Sequence, residues 1–377
     1  MYSKVDQHIK TLYNEPLDPL WDNQKITYDT AKYNWNEIFL GVTQELKPEI
    51  KNLQDIHLHF QLEDFVDLRK HYERFTNSSQ FSTMVDEFIV DYVVDKIPSE
   101  EYLVQRTTGI RLLIPDQVKQ GRLLNFHTGY WTGYDNHMYT TWVPVTDSWD
   151  SNAMQVLTWE QTLKITDEIY NNKLSLEEVQ DMCEKVCWPV NCKVGEAWQF
   201  NQGVWHGNIN NDTGVSRVSF DVRVATPQSD FEHRRPGSFY RFPGESAEEN
   251  FAKLRTDGKW IVFTDQNSDF VYPTPHYMIR EFMISYARGL GINPVEWANE
   301  AWCTDWMPAF DYKIKQGLQG IVLPSIFAFS ESNERVLEML SEGIENGMQF
   351  LFVDENLVAD TQKDLDHIKK LYNFMKK

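Results

Sequence analysis

Two histidines, an arginine and a serine, spread over residues 127–219, are the side chains of this sequence best suited to do chemistry. His127 lies in RLLNFHTGYW, and His206, Arg217 and Ser219 lie in GEAWQFNQGVWHGNINNDTGVSRVSFDVRV. Neutral imidazoles ligate transition metals. In an extended strand side chains alternate, so Val218, Phe220, Val222 and Val224 share one face and Arg217, Ser219, Asp221 and Arg223 the other. Arg217 and Ser219 then address one pocket, where a guanidinium fork and a hydroxyl suit a carboxylate. Charge-assisted bonds of that kind contribute roughly 1.5–3 kcal/mol each. The plainer alternative is the solvated polar face of an edge strand. His206, eleven residues before Arg217 across the turn NINNDTG, favours the pocket and makes the two strands expected neighbours.

The elements that must position these groups follow from periodicity. Residues 1–100 read as largely helical: LEDFVDLRKHYERF and SSQFSTMVDEFIVDYVVDKI repeat apolar residues every three or four positions, with SSQ and SEE as caps. Residues 103–225 turn to short runs rich in Val, Thr, Trp and Phe, broken by PDQVKQG and NNDTG, which predicts an antiparallel β core. A helical insertion interrupts it at 157–186. Residues 226–257, rich in Pro, Gly and charge, read as a wrapping tail whose end, 246–257, is a linker. Beyond it, strands (GKWIVFTD, GINPVEWANEAW, GIVLPSIFAF, MQFLFVDENL) alternate with four helical runs, so residues 258–377 are expected to form a parallel α/β sheet distinct from a first domain at 1–245.

Composition limits what the chain can bind. Its 377 residues suffice for two cores, and 36 basic against 56 acidic residues give a net charge of −20, which repels phosphate backbones and argues against nucleic acid. The start, MYSKVDQHIKTLYNEP, lacks the basic and apolar regions of a signal peptide, and no run of about 18 apolar residues occurs, so a cytoplasmic protein without a membrane span is expected. Cys183, Cys187, Cys192 and Cys303 match no familiar zinc spacing and read as reduced thiols.

The order His127, TTWVPVTDSWDSNAMQV, the turn GEAWQF, then WHGN and Arg-Val-Ser resembles the phytanoyl-CoA dioxygenase-like branch of the iron(II)/2-oxoglutarate oxygenases, across residues 104–225. It is more similar still to the oxygenases of streptomycin-type and sporadic carbohydrate biosynthesis clusters. That resemblance implies a jelly-roll (double-stranded β-helix) core, His127 and His206 as iron ligands, and Arg217 with Ser219 on the distal carboxylate of 2-oxoglutarate. It also implies hydroxylation of a carbohydrate or aminocyclitol-like metabolite. Tyr130, Trp131, Tyr134 and Trp205 flank these residues and are candidates for a substrate pocket or for core. The departure is Gly129, where the family carries an iron-binding acid two residues after the first histidine. Water or a substrate oxygen, a carboxylate from elsewhere (Asp135 or Asp147), or a halide as in the 2-oxoglutarate halogenases would fill the position; His137 is a weaker candidate. Two rivals from other classes are a non-catalytic sugar-binding barrel and a cupin-type isomerase, the latter disfavoured because it needs no 2-oxoacid clamp.

Residues 258–377 resemble small sporadic carbohydrate cluster proteins related to the catalytic domain of serine recombinases, through WIVFTD, YPTPHYMIREF, GIVLPSIFAF and FLFVDENL. Ser268 lacks the nucleophile's context, and FAFSESNERV offers only Arg335 as a base, so DNA strand exchange is not expected. Docking or dimerisation is the expected role. The strand ends at Thr264–Ser268 and Ser325–Ser330 mark the edge where such a sheet binds ligands.

Overall fold

The computed structural model describes residues 9, 11–14, 24–61, 64–115, 126–232, 234–245, 251–265, 276–300 and 307–376. Ser268, Cys303 and residues 246–250 of the expected linker lie outside these. The chain packs as two units, Met1–Arg235 with Tyr240–Ala247, and Pro236–Phe239 with Glu248–Lys377. In chain order the first holds β1 (Gln24–Thr27), α1 (Trp35–Gln44), α2 (Phe65–Thr76), α3 (Ser79–Tyr92), β2 (Leu103–Gln105), β3 (Gly109–Leu113) and β4 (Met138–Pro144). There follow β5 (Gln155–Val156), α4 (Trp159–Asn172), α5 (Leu176–Glu184), β6 (Trp188–Pro189), β7 (Glu196–Phe200), β8 (His206–Gly207), β9 (Arg217–Ala225) and β10 (Tyr240–Arg241).

These strands make a seven-stranded sheet in the order β1-β7-β4-β9-β2-β10, with β3 also on β9, and a three-stranded sheet, β6-β5-β8. The long strand β9 is therefore central. It pairs antiparallel with β4 on one side and with β2 and β3 on the other. Its two faces divide as alternation predicts. Val218, Phe220, Val222 and Val224 enter a core with Trp35, Phe39, Phe81 and Phe88 from α1 and α3. Phe220 alone meets Trp35 at 5.2 Å and Phe81 at 5.7 Å between ring centroids. Full burial of such side chains is worth roughly 1.5–3 kcal/mol each, enough to fix the register of β9 and so the direction of its polar face.

The polar face of β9 is not the solvated edge weighed as the plainer alternative, because every residue of the strand except Arg223 is buried. Nor are β8 and β9 paired neighbours: they lie in different sheets, since the intervening residues 208–216 cross from one sheet to the other instead of closing a tight hairpin. The N-terminal region is also not wholly helical, for β1 adds a short edge strand to β7. Ser78 caps α3 through a bond from the Phe81 N–H (3.2 Å), whereas no helix follows Ser99, whose hydroxyl accepts from the Glu101 N–H within a turn. The helix expected to reach residue 97 stops at Tyr92; Ile97, preceding Pro98, is already extended.

The second unit alternates β11 (Trp260–Asp265), α6 (His276–Gly289), β12 (Glu296–Glu300), α7 (Pro308–Ile314), β13 (Gly320–Leu323), α8 (Asn333–Glu345), β14 (Gln349–Phe352), β15 (Leu357–Ala359) and α9 (Gln362–Met375). Its sheet runs β12-β11-β13-β14-β15, parallel except for β15, which turns back on β14. The strand expected over 320–329 ends at Leu323, because Pro324 has no N–H for the ladder. Among the described residues, no helix in the chain is long and apolar enough to cross a membrane.

Polar groups at the strand ends of this unit are engaged with one another. Asp265 accepts from both the N–H (2.6 Å) and the hydroxyl (2.7 Å) of Ser330. Buried Glu355 accepts from the Ser325 hydroxyl (2.6 Å) and the Ile326 N–H (3.1 Å). Burial, and then Asp354 beside it, push the Glu355 carboxyl from 4.5 up to about 8. The fold thus prefers the neutral acid, so this stabilising contribution is complete below about pH 4.5 and is lost as pH rises through about 8. Glu355→Gln, which mimics the neutral acid, should flatten the decline in thermal midpoint across that interval. An unchanged decline in the variant would assign it to other groups.

Candidate functional site

His127 and His206 face each other across an antiparallel bridge. Each backbone N–H donates to the other's carbonyl at 3.0 Å. Directly opposed residues project to the same side, and the two rings stand 4.4 Å apart between centroids. The His206 Nδ1 lies 2.8 Å from the Val204 carbonyl and must donate to it, which leaves the Nε2 lone pair free to bind a metal. Burial, and then the neighbouring His127, lower the His206 pKa to about 3, so both features favour a neutral ring. Phe200, Trp142 and Met154 supply the apolar part of a cavity of about 40 Å³ in front of the pair, and Arg111, Gln202, Asn208, Arg217, Asp221 and Arg223 the polar part.

Arg217 enters this cavity from β9. One terminal nitrogen, Nη1, donates to the Asn152 carbonyl (3.0 Å) and the Asn208 side-chain oxygen (3.1 Å), and the guanidinium lies over the Trp142 ring at 5.5 Å. No carboxylate pairs with it among the described residues, and burial lowers its pKa. Its Nε and the Ser219 hydroxyl are both buried without a hydrogen-bond partner. A buried donor left unpaired costs about 1–3 kcal/mol, so two of them side by side on one strand face are an arrangement that a bound carboxylate would relieve. The donor set therefore fits the distal carboxylate of a 2-oxoacid, and the two imidazoles fit ferrous iron.

The remaining candidates separate from the cavity. Asp135 is buried, but its oxygens accept from the His137 N–H (2.8 Å) and the Asp230 N–H, and burial raises its pKa. Asp147 is exposed and accepts from the Val194 N–H at 2.8 Å. Neither lines the cavity, nor does His137. The flanking aromatics are likewise absent from its lining. Tyr130 packs on Tyr13 at 4.9 Å and its hydroxyl donates to Asn136. Trp205 is wholly buried against Trp131 (4.6 Å), and its indole N–H donates to Thr166. Tyr134 lies between the guanidinium groups of Arg223 (5.0 Å) and Arg234 (4.1 Å). These four rings pack outside the cavity, around the segments that carry the histidines and the end of β9. Cys183, Cys187 and Cys192 are free thiols.

Gly129 is glycine because Gln202 takes its side-chain space. A Cβ there would clash with the Gln202 Oε1 and stand 2.9 Å from the Gln202 Cβ, while the Gly129 N–H donates to the Gln202 backbone carbonyl at 2.7 Å. Gln202, Asn208, Arg111 and Asp221 were not singled out by sequence. Alternation placed Asp221 beside Arg217, but nothing local showed that it is gripped by Arg111 (3.3 Å) and Arg223 (3.0 Å).

No protein-family model matches the chain. It is similar to the streptomycin biosynthesis protein StrG of Streptomyces griseus, 28% identical over 156 residues, which are 41% of this chain and 59% of StrG. The chain thus spans less than two thirds of that relative. Among solved structures it overlaps a non-heme monooxygenase, the ThoJ–nickel complex, with a TM-score of 0.38 and 16% identity, over 59% of this chain and 85% of that one. It also overlaps the N-terminal catalytic domain of TP901-1 integrase with a TM-score of 0.26 and 13% identity, over 31% and 96%. Overlaps this loose carry neither activity nor site residues over.

The Gly129–Gln202 contact is testable by itself. In urea unfolding, a double-mutant cycle of Gly129→Ala with Gln202→Ala should show a coupling of about 1 kcal/mol or more. Additive effects would mean that the two residues do not compete for the same space.

Proposed function

We propose that the first unit is a non-haem iron(II)/2-oxoglutarate-dependent oxygenase acting on a carbohydrate or aminocyclitol-like metabolite. The observation that carries this reading is Arg217, which lines one cavity with the opposed His127 and His206 and keeps a partnerless buried Nε, with the partnerless Ser219 Oγ two residues along the same face of β9. The substrate class rests on the sequence resemblance and the StrG match. When bound, iron and 2-oxoglutarate supply an oxidant able to break an unactivated C–H bond, with loss of carbon dioxide from the cosubstrate.

The chain's own residues do the rest. His127 and His206 hold the metal, with the Val204 carbonyl fixing the His206 tautomer. Arg217 and Ser219 take the distal carboxylate, and Asn208, Asn152 and the Trp142 face keep the guanidinium in place beforehand. Phe200, Trp142 and Met154 keep water from the reacting centre. A second reading, a sugar-binding barrel without catalysis, draws on one observation: among the described residues no three His, Cys, Asp or Glu side chains cluster as a metal site. Halogenation is disfavoured, because the Gln202 side chain fills the space beside Gly129 that a halide would need.

Anaerobic addition of ferrous iron and 2-oxoglutarate should give a visible charge-transfer band, and admission of air should yield succinate; absence of both would leave the binding-protein reading. Arg217→Gln should weaken 2-oxoglutarate binding about 100-fold, as expected for two lost charge-assisted bonds, while metal binding alone is kept. Unchanged affinity for the oxoacid would remove Arg217 from its site.

A further inference from the structure

We infer that the Gln202 side-chain oxygen takes, beside His127 and His206, the place of the carboxylate this chain lacks, so that two imidazoles and one neutral amide hold the metal. This rests on the oxygenase reading above and says which side chain completes its metal shell.

Four observations converge on Gln202. Thr128 is extended, so a side chain at position 129 would leave on the same side as that of His127. The Gln202 Oε1 stands against that place, too close to admit a Cβ at 129. Gln202 is 2% exposed and lines the cavity with both histidines. Its amide nitrogen donates to the Thr140 hydroxyl on β4, and among the described residues no donor bonds to its Oε1. An amide anchored through its nitrogen presents its oxygen, a hard neutral donor of the kind carbonyl-coordinated cations use.

The acids nearby are committed elsewhere. Asp135 and Asp147 bond to backbone N–H groups away from the cavity. Asp221 lines it, but one of its oxygens is shared by Arg111 and Arg223. A shell of neutral ligands leaves the full charge of a divalent cation uncompensated. The metal alone should then bind weakly, and an anionic 2-oxoacid should strengthen its binding more than it would beside a carboxylate ligand.

Manganese(II) serves as a redox-silent probe, with free ion measured by electron paramagnetic resonance, with and without 2-oxoglutarate. Gln202→Ala should weaken manganese binding about tenfold or more. Gln202→Glu, of matching shape, should tighten binding of the metal alone by a similar factor and reduce the enhancement given by 2-oxoglutarate. The inference is overturned if Gln202→Glu leaves both quantities at wild-type values, or if Asp221→Asn rather than a Gln202 variant removes binding. The oxygenase reading fails separately if the wild-type chain binds no manganese, or if His206→Ala binds it unchanged. A Gln202→Ala chain that does not fold leaves the decision to Gln202→Glu, which fills the same volume.

Discussion

The site depends on one backbone contact, the paired hydrogen bonds between His127 and His206. They join two segments distant in sequence and set both rings on the same side at contact distance. Two flexible imidazoles would lose more entropy in converging on a cation than two held by an antiparallel bridge. The bridge extends the small sheet, in which Val156 of β5 pairs with His206 on its other side. The insertion α4–α5 covers that arrangement, with Ile165, Ile169, Val179 and Cys183 packed around Trp205, the residue before His206. The tryptophans and tyrosines near the histidines thus act through packing.

The opposing wall comes from β9, and its two faces are linked energetically. The apolar face is locked into the helical layer, so Arg217, Ser219, Asp221 and Arg223 have no other direction in which to project. A buried guanidinium without a carboxylate partner is costly, and apolar burial on the reverse face offsets that cost in the free protein. Asp221 pairs with Arg223 and Arg111, whereas among the described residues no carboxylate pairs with Arg217. The difference between these arginines separates structural charge from charge held ready for a ligand.

Much of this was legible from the chain itself. Strand alternation predicted the division of β9 into apolar and polar faces, and helical periodicity located α2, α3 and the α4–α5 insertion to within a few residues. Pro and Gly punctuation marked the change to an α/β pattern in the second unit. What sequence could not show was the assignment of strands to sheets. Residues 208–216 look like a hairpin turn, but the sheet change they make depends on contacts elsewhere in the fold. Gln202 was missed for a related reason. Its bearing on Gly129 exists only in space, and the absence of an acid at position 129 was the sole local sign that another side chain stands there. Asp135 and Asp147 drew notice by nearness in sequence, yet backbone N–H groups hold both elsewhere, that of His137 within a turn and that of Val194 from a distant segment.

The most direct test of the account is a crystal structure grown without oxygen in the presence of ferrous iron and 2-oxoglutarate, with anomalous scattering at the iron edge. The account predicts an anomalous peak bound by His127 and His206, and a cosubstrate whose far carboxylate meets Arg217 and Ser219. An iron peak elsewhere, or a cavity in which 2-oxoglutarate does not reach Arg217, would contradict it.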